Sequence, residues 1–519
     1  MERPRLSRRT GLLIGVAVFV GAALRAGTGE VVNERGWSSF ARFWTAVRHP
    51  VLDGDFLRLT LDAAVTTAGV AVLGTALSLV LGAAGAFVLS RLVWGDAPLP
   101  RLASLVLVVP RAVHEILWAL LFVQVLGFDP LVAVIAIGVP FGAVTAKVFA
   151  ETIDETDPAP YRALRAGGAG RVPALAYGIL PRVRGELTSY AFYRLECALR
   201  SAAVLGVVGL GGLGYQLDLS FQTLRYGEMW TLLGALVVLS GLVEGLSALV
   251  RRARRAGGAG GGSVRVGSLP PGAVVVLVVA GIAAAWWVVG IHPSHLWSAR
   301  TRTLGTELLG EVWPPRAGPG GLGVLAGAAV DTIAMSVLAS GFAVAVAVGV
   351  VLVAGRPGAG FVPRAATAAL ALFARAVPAP VWAFLVVLVL FPGPWPGAVA
   401  LGVYEAGVLG RLFVEAVTER GHRHGTALVG LGATPLRALL YGDLPEAASR
   451  LAALSLYRWE VVVRDTLMVG VVGAGGLGQL VRDHLAARDL AAVTSVVLAL
   501  VVVTAAIDTV SLALRQRLR

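Results

Sequence analysis

The chain reads as a succession of apolar tracts, each long enough to cross a hydrocarbon core of roughly 30 Å, separated by stretches where Arg, Asp, Glu, Gly and Pro collect. Six tracts lie near residues 11–27, 60–90, 103–126, 129–150, 187–207 and 229–250, and six more near 272–291, 330–354, 365–391, 396–415, 451–471 and 490–514. Their richness in Gly, Ala, Val and Leu suits packed helices. The pattern predicts an all-α polytopic membrane protein with about 12 transmembrane helices. An even number of crossings puts both termini on one side. After the first tract of each half, segments 28–58 and 292–329 mix Trp37, Trp44, Trp297 and Trp313 with charges of both signs, as interfacial segments on the outer face would.

Between the halves, Arg255 to Pro271 reads RAGGAGGGSVRVGSLPP, which cannot bury a core and predicts a flexible linker. The expected organisation is a first half at 1–255, a linker at 256–271 and a second half at 272–519. At an offset of 264 residues the halves align without gaps over a long stretch. Tyr193, Arg194, Glu196 and Arg200 fall on Tyr457, Arg458, Glu460 and Arg464, and GVVGLGGLG from Gly206 falls on GVVGAGGLG from Gly470. Arg111, Trp118, Phe149 and Glu151 fall on Arg375, Trp382, Phe413 and Glu415. Charged residues inside spans rarely coincide by chance. Six spans per repeat give two parallel repeats about an axis along the membrane normal, with a pathway expected where they meet.

Composition agrees. The chain is 57% hydrophobic and 14% charged, against about 25% charged in soluble domains, and its mean hydropathy is +0.79. The net charge of +13 does not indicate nucleic acid, because no soluble basic domain is visible. Its arginines cluster beside apolar tracts, at Arg3, Arg5, Arg8 and Arg9, at Arg251, Arg252, Arg254 and Arg255, and at Arg515, Arg517 and Arg519. By the positive-inside rule these three clusters, and so both termini, face the cytoplasm. The basic start before Gly11 resembles a signal peptide, but a retained first helix is expected. Cys197, the single cysteine, allows no intramolecular disulfide.

Each half carries a long polar interruption on the cytoplasmic side, ALRAGGAGRVPALAYGILP from Ala163 and ALVGLGATPLRALLYGDLP from Ala427. Gly168 and Ala169 precede Leu180 and Pro181 by the interval that separates Gly432 and Ala433 from Leu444 and Pro445. The glycine allows a tight turn between two short helices and the proline is expected to end the second. This spacing resembles the coupling-loop signature of ABC importer permeases, which implies docking into a groove of an ATP-binding subunit, two copies per chain. Arg162 and Thr426 stand where that family usually has an acid. A finer resemblance, to permeases of phosphonate-type ABC importers, rests on RAVHEILWALLFV from Arg111, SYAFYRLECALRSAAVLGVVGLGGLG from Ser189, and their counterparts in the second half. The chain departs from it in being a fused duplication and in having His114 where the second half has the commoner proline, Pro378. The resemblance implies uptake of phosphonate, phosphate or a related oxyanion from an extracellular binding protein, at the cell membrane.

An anion path also follows from the residues. Tyr193, Glu196 and Arg200 share one helix face over about 10 Å, and Tyr457, Glu460 and Arg464 repeat them. Arg111 and Arg375 add cations within spans, and guanidinium forks suit an oxyanion. These residues, with Arg194 and Arg458, are the candidate translocation path. Alternatively, Glu196 with Arg200, Glu460 with Arg464 and Arg111 with Glu115 neutralise one another as i,i+4 pairs. Arg194, Arg375 and Arg458 have no acid so placed, and need substrate, water or a neighbouring helix.

GLGGLG at Gly209, Gly211, Gly212 and Gly214 matches a dinucleotide fingerprint only formally, lacking the strand and downstream acid. It predicts an outer turn, repeated at Gly473, Gly475, Gly476 and Gly478, that by resemblance meets the binding protein. The only lysine, Lys147, lies in an apolar tract, so the chain has no P-loop and is not expected to be an enzyme; ATP and Mg are expected on the partner. His422 with His424, and His292 with His295, do not complete four ligands, so they are read as solvated residues and no metal is expected. Two alternatives remain: a methionine- or betaine-type importer permease, and a secondary transporter, which would not need paired coupling loops.

Overall fold

Every expected apolar tract forms helix, because a backbone in hydrocarbon must satisfy its own N–H and C=O groups. The computed structural model describes residues 8–27, 31–257, 271–419 and 422–518. Arg3, Arg5, Arg519 and nearly all of the expected linker lie outside the described residues. Among the described residues the only β pairing is a single antiparallel bridge between Val32 and Leu390.

Among the described residues, six helices are long and apolar enough to span: Gly54–Leu89, Pro130–Asp154, Tyr226–Leu249, Gly321–Ala354, Pro394–Thr418 and Leu490–Gln516. Four further crossings are broken, and counting each as one span gives up to 10. The remaining two tracts form helices Arg8–Ala26 and Pro271–Val289, each of 19 residues, about 28 Å at the α-helical rise. The third crossing of each half bends by 87° between Pro98–Ala112 and Glu115–Leu126, and by 89° between Phe361–Ala376 and Ala379–Val387. Hydropathy reads straight through both bends. What breaks the helix is local: Val113 and His114, and Val377 and Pro378, have extended backbone. Pro378 lacks an N–H and has a fixed φ. His114 reaches the same geometry differently, its Nδ1 accepting the N–H of Ile116 at 3.2 Å as an N-cap.

Two compact units divide the chain differently from the expected contiguous halves. One contains residues 50–306 and the other 1–49 with 307–519. The first helix of each repeat therefore belongs to the unit built mainly from the other repeat. In the unit of residues 50–306, Pro271–Val289 packs on Gly54–Leu89, and His295 Nδ1 lies 2.6 Å from Asp129. In the other unit, Arg8–Ala26 packs on Gly321–Ala354, with Arg25 Nε 2.8 Å from Asp331. There Trp395 Nε1 donates to the Gly27 carbonyl at 2.8 Å, and Asn33 and Phe391 exchange backbone bonds with Val389 and Val31. The exchanged segments carry Trp37, Trp44 and Trp297, and these and Trp313 are all exposed, as expected at an interface.

Within each unit the central packing is between the second and fourth crossings, Gly54–Leu89 on Pro130–Asp154 and Gly321–Ala354 on Pro394–Thr418. Small residues let these backbones approach. A Cβ at Gly142 would come 2.8 Å from Leu81, and one at Gly402 would come 2.6 Å from Phe342.

Candidate functional site

The two polar interruptions fold alike at their turns. Helix Ala159–Ala166 precedes helix Arg171–Gly178, and helix Arg423–Gly430 precedes the shorter Pro435–Ala438. Gly168 has φ +90° and Gly432 φ +92°. Ala169 N–H donates to Leu164 O at 3.0 Å and Gly168 N–H to Arg165 O at 3.1 Å. Ala433 and Gly432 repeat both bonds to Leu428 and Val429, at 3.0 and 2.9 Å. These are paired Schellman caps, which need the left-handed residue that glycine supplies. The prolines act otherwise than expected: Pro181 and Pro445 do not end the second short helix but occupy the first turn of Leu180–Leu205 and Leu444–Val469. A first-turn proline loses no helical bond.

Behind these turns the two loops differ. In the first, Tyr161 and Ile179 are buried in an apolar cluster with Phe149, Ala174 and Val183. In the second, the equivalent positions are Gly425 and Asp443. Asp443 accepts from the Gly425 N–H at 2.9 Å and lies 2.7 Å from Nδ1 of His422, a largely buried side chain. His424 Nδ1 lies 2.8 Å from Glu446. His422 and His424 are thus tied to acids rather than simply solvated, because the loop folds back over the start of the next helix. His292 stacks on His295, whose partner is Asp129. Among the described residues no three His, Cys, Asp or Glu gather as metal ligands.

The glycine turns break the fifth crossing in both halves, by 53° and 57°. Gly209, Gly211 and Gly212 have φ of +99°, +85° and +73°, and Gly473, Gly475 and Gly476 have +114°, +90° and +68°. Gly206 and Gly470 leave no room for a side chain: a Cβ there would lie 2.6 and 2.7 Å from the carbonyl oxygens of Gly211 and Gly475. Gly214 and Gly478 are closed in the same way by the carbonyls of Ala203 and Leu467. The helix after each turn is pinned to the second crossing, since Leu213 N–H donates to Thr67 Oγ1 and Leu477 N–H to Thr332 Oγ1, both at 2.9 Å.

The candidate path residues are held unequally. Glu196 and Arg200 form the i,i+4 pair at 3.7 Å. Glu460 differs from its equivalent: it takes Arg515 of the last helix at 2.5 Å, while Arg464 Nε donates to the Glu460 carbonyl at 3.4 Å. Arg458 makes a two-pronged ion pair with Glu405, Nε to Oε2 at 2.8 Å and Nη2 to Oε1, and Glu405 is 0% exposed. Among the described residues Arg194 has no such acid; it donates Nε and Nη2 to the Tyr190 phenol oxygen at 2.7 and 2.5 Å. Tyr193 and Tyr457 are exposed.

Arg111 and Arg375 are not in mid-helix, as a straight third span would place them, but in the last turn before each sharp bend. A cation there also faces the negative end of the helix dipole. The bend separates Arg111 from an i,i+4 relation to Glu115, which instead accepts from Ser201 Oγ at 2.5 Å. Arg111 lines a cavity of about 560 Å³ together with Arg91, Arg101, Lys147, Glu151, Asp154 and Glu155, and Lys147 lies 3.8 Å from Glu151. Glu151 was marked in the sequence only as a repeat position, and Arg91, Arg101, Asp154 and Glu155 were not singled out, because they resemble ordinary charged ends of spans. Arg375 is buried, and Trp382 Nε1 bridges its bend to the Ala374 carbonyl at 3.0 Å.

The chain is similar to several known transport permeases. The phosphate-import permease protein PhnE of Mycolicibacterium smegmatis (strain ATCC 700084 / mc(2)155) is 29% identical over 463 residues, 88% of this chain and 85% of that protein. The phosphite transport system permease protein PtxC of Stutzerimonas stutzeri is 33% identical over 191 residues, 36% of this chain and 68% of its own. The putative cryptic phosphonate transport system permease protein PhnE2 of Escherichia coli (strain K12) is 34% identical over 109 residues, 21% of this chain and 89% of its own. No solved structure matches. The description "binding-protein-dependent transport system inner membrane component" matches twice, at residues 74–256 and 347–519, spanning both polar loops and both glycine turns. The chain therefore belongs to the binding-protein-dependent transport system inner membrane components, as a multi-pass permease that carries the family's domain twice in one polypeptide.

Proposed function

We propose that the chain is the membrane-spanning subunit of an ATP-driven importer that moves a phosphate-, phosphonate- or phosphite-type oxyanion inward by alternating access. The observation that carries this reading is the match to a protein named as a phosphate-import permease across 88% of the chain. An extracellular binding protein delivers the substrate to the side of the glycine turns. Two ATPase subunits, holding ATP and Mg, dock on the loops around Gly168 and Gly432. The exposed apolar side chains there support docking: the repeat-equivalent Tyr177 and Tyr441 are 79% and 78% exposed, and Leu431 is exposed beside the second turn. Arg111, Arg375, Arg194, Glu196 and Arg200 serve the path, while the geometry of Arg458 and Glu460 suits helix packing.

The test is reconstitution with the cognate ATPase and binding protein. Uptake of labelled phosphate or phosphite that needs ATP is expected; uptake that follows an ion gradient and ignores ATP would replace this reading with a secondary transporter. Gly168→Trp combined with Gly432→Trp places a bulky L-residue at two left-handed positions, straining each by roughly 1–2 kcal/mol, and should prevent ATPase co-purification. Stoichiometric ATPase on the double variant would sink the docking assignment.

Both termini and the linker are cytoplasmic in this reading, at the cell membrane. Single cysteines at Ser7, Ser263 and Gln516, in a Cys197→Ala background, should react with an impermeant reagent only after the membrane is opened. Labelling of intact cells at any of them contradicts this topology.

A further inference from the structure

We propose that the two repeats use their equivalent arginines differently: Arg194 is a binding cation for a tetrahedral phosphorus oxyanion, and Arg458 is a structural cation that does not meet substrate. This deepens the oxyanion-permease reading and rests on it. Both arginines occupy the same position in the fifth crossing, offset by 264 residues. What faces them on the fourth crossing differs. Phe141 stands where the second repeat has Glu405, and on the arginine's own helix Tyr190 stands where the second repeat has Leu454.

Those two differences change the charge balance. Arg458 spends Nε and Nη2 on Glu405, so the pair is neutral, and an approaching anion would meet the carboxylate as well as the guanidinium. Arg194 is 9% exposed, yet the described residues that hold it are all uncharged. Its guanidinium carbon lies 4.9 Å from the Phe141 ring centroid, 5.0 Å from Tyr190 and 5.8 Å from Tyr193. Its hydrogen bonds run only to the Tyr190 phenol, leaving Nη1 without one among the described residues. Phe141 lies in the middle of Pro130–Asp154, an apolar span, so the cation sits where counter-charge is scarce. Aromatic faces orient a cation and offset part of its desolvation, but do not neutralise it. The geometry therefore keeps a guanidinium aimed, charged and with an unused donor, and a phosphorus oxyanion presents the oxygen acceptors that such a fork binds.

The reconstituted complex tests this with phosphate and phosphite as probes. Uptake is measured alongside the phosphate-induced rise in thermal midpoint of the purified permease–ATPase complex. Arg194→Gln should keep normal yield, lose the phosphate-induced rise and cut uptake by about 10-fold or more, the value of a charge-assisted hydrogen bond. Arg194→Lys, which keeps the charge without the fork, should raise the uptake KM and remains informative if the Gln variant does not fold. Removing the second repeat's pair as Arg458→Leu with Glu405→Leu should leave both readouts near wild type. Normal uptake and a normal rise in well-expressed Arg194→Gln would overturn the inference, as would their loss in the Leu pair alone. An active wild type that accepts neither probe would instead overturn the oxyanion reading, and the inference with it.

Discussion

Glu405→Ala is expected to remove most of the folded protein. The carboxylate is fully buried and its two oxygens take both prongs of Arg458. Truncating one partner of a buried pair leaves the other charge unpaired, at a cost of about 3–5 kcal/mol. That is comparable with the whole stability of many domains, about 5–15 kcal/mol. Yield of monodisperse protein and the thermal midpoint in detergent should both fall sharply. The first repeat suggests its own rescue: Glu405→Phe with Leu454→Tyr rebuilds around Arg458 the uncharged setting that Phe141 and Tyr190 form around Arg194. This double variant should recover part of the lost midpoint. An unchanged midpoint in Glu405→Ala would show that the pair contributes nothing net and that the helices pack without it.

Arg111→Gln combined with Arg375→Gln should leave a complex that assembles with its ATPase but takes up oxyanion poorly. Each arginine closes a helix at a sharp bend, where the dipole alone favours a cation by roughly 0.3–1 kcal/mol, too little for loss of it to unfold the chain. Arg111 also lines the cavity of about 560 Å³ beside Lys147 and Arg101. Removing two cations that meet an anion should lower uptake by about 10-fold or more. Arg→Lys at both sites separates the two roles, because lysine keeps the helix-end charge and loses the fork. If the Lys pair transports normally, charge is sufficient; if the Gln pair also transports normally at full yield, neither arginine lines the path.

What the chain revealed before folding was what each short stretch decides by itself. Hydropathy marked every apolar tract, since a helix in lipid satisfies its backbone within one segment. The repeat at 264 residues identified the paired turns at Gly168 and Gly432 and at Gly209 and Gly473, because a left-handed position can be met only by a few residue types and glycine shows in the sequence. The bends at His114 and Pro378 were partly legible: the proline was visible, but a histidine ring acting as an N-cap has no distinct signal. Of the charge partners, only a local one such as Glu196 with Arg200 was legible; distant ones were not. Glu405 lies 53 residues from Arg458, and Arg515 lies 55 from Glu460. The exchange of the first helices was equally hidden, since the apolar stretch between Arg9 and Arg25 marks no face that would assign it to one unit. Sequence thus determined which segments are helical, membrane-spanning and duplicated. Tertiary structure decided which charge meets which, because two equivalent arginines become different groups only when packing brings Phe141 against one and Glu405 against the other.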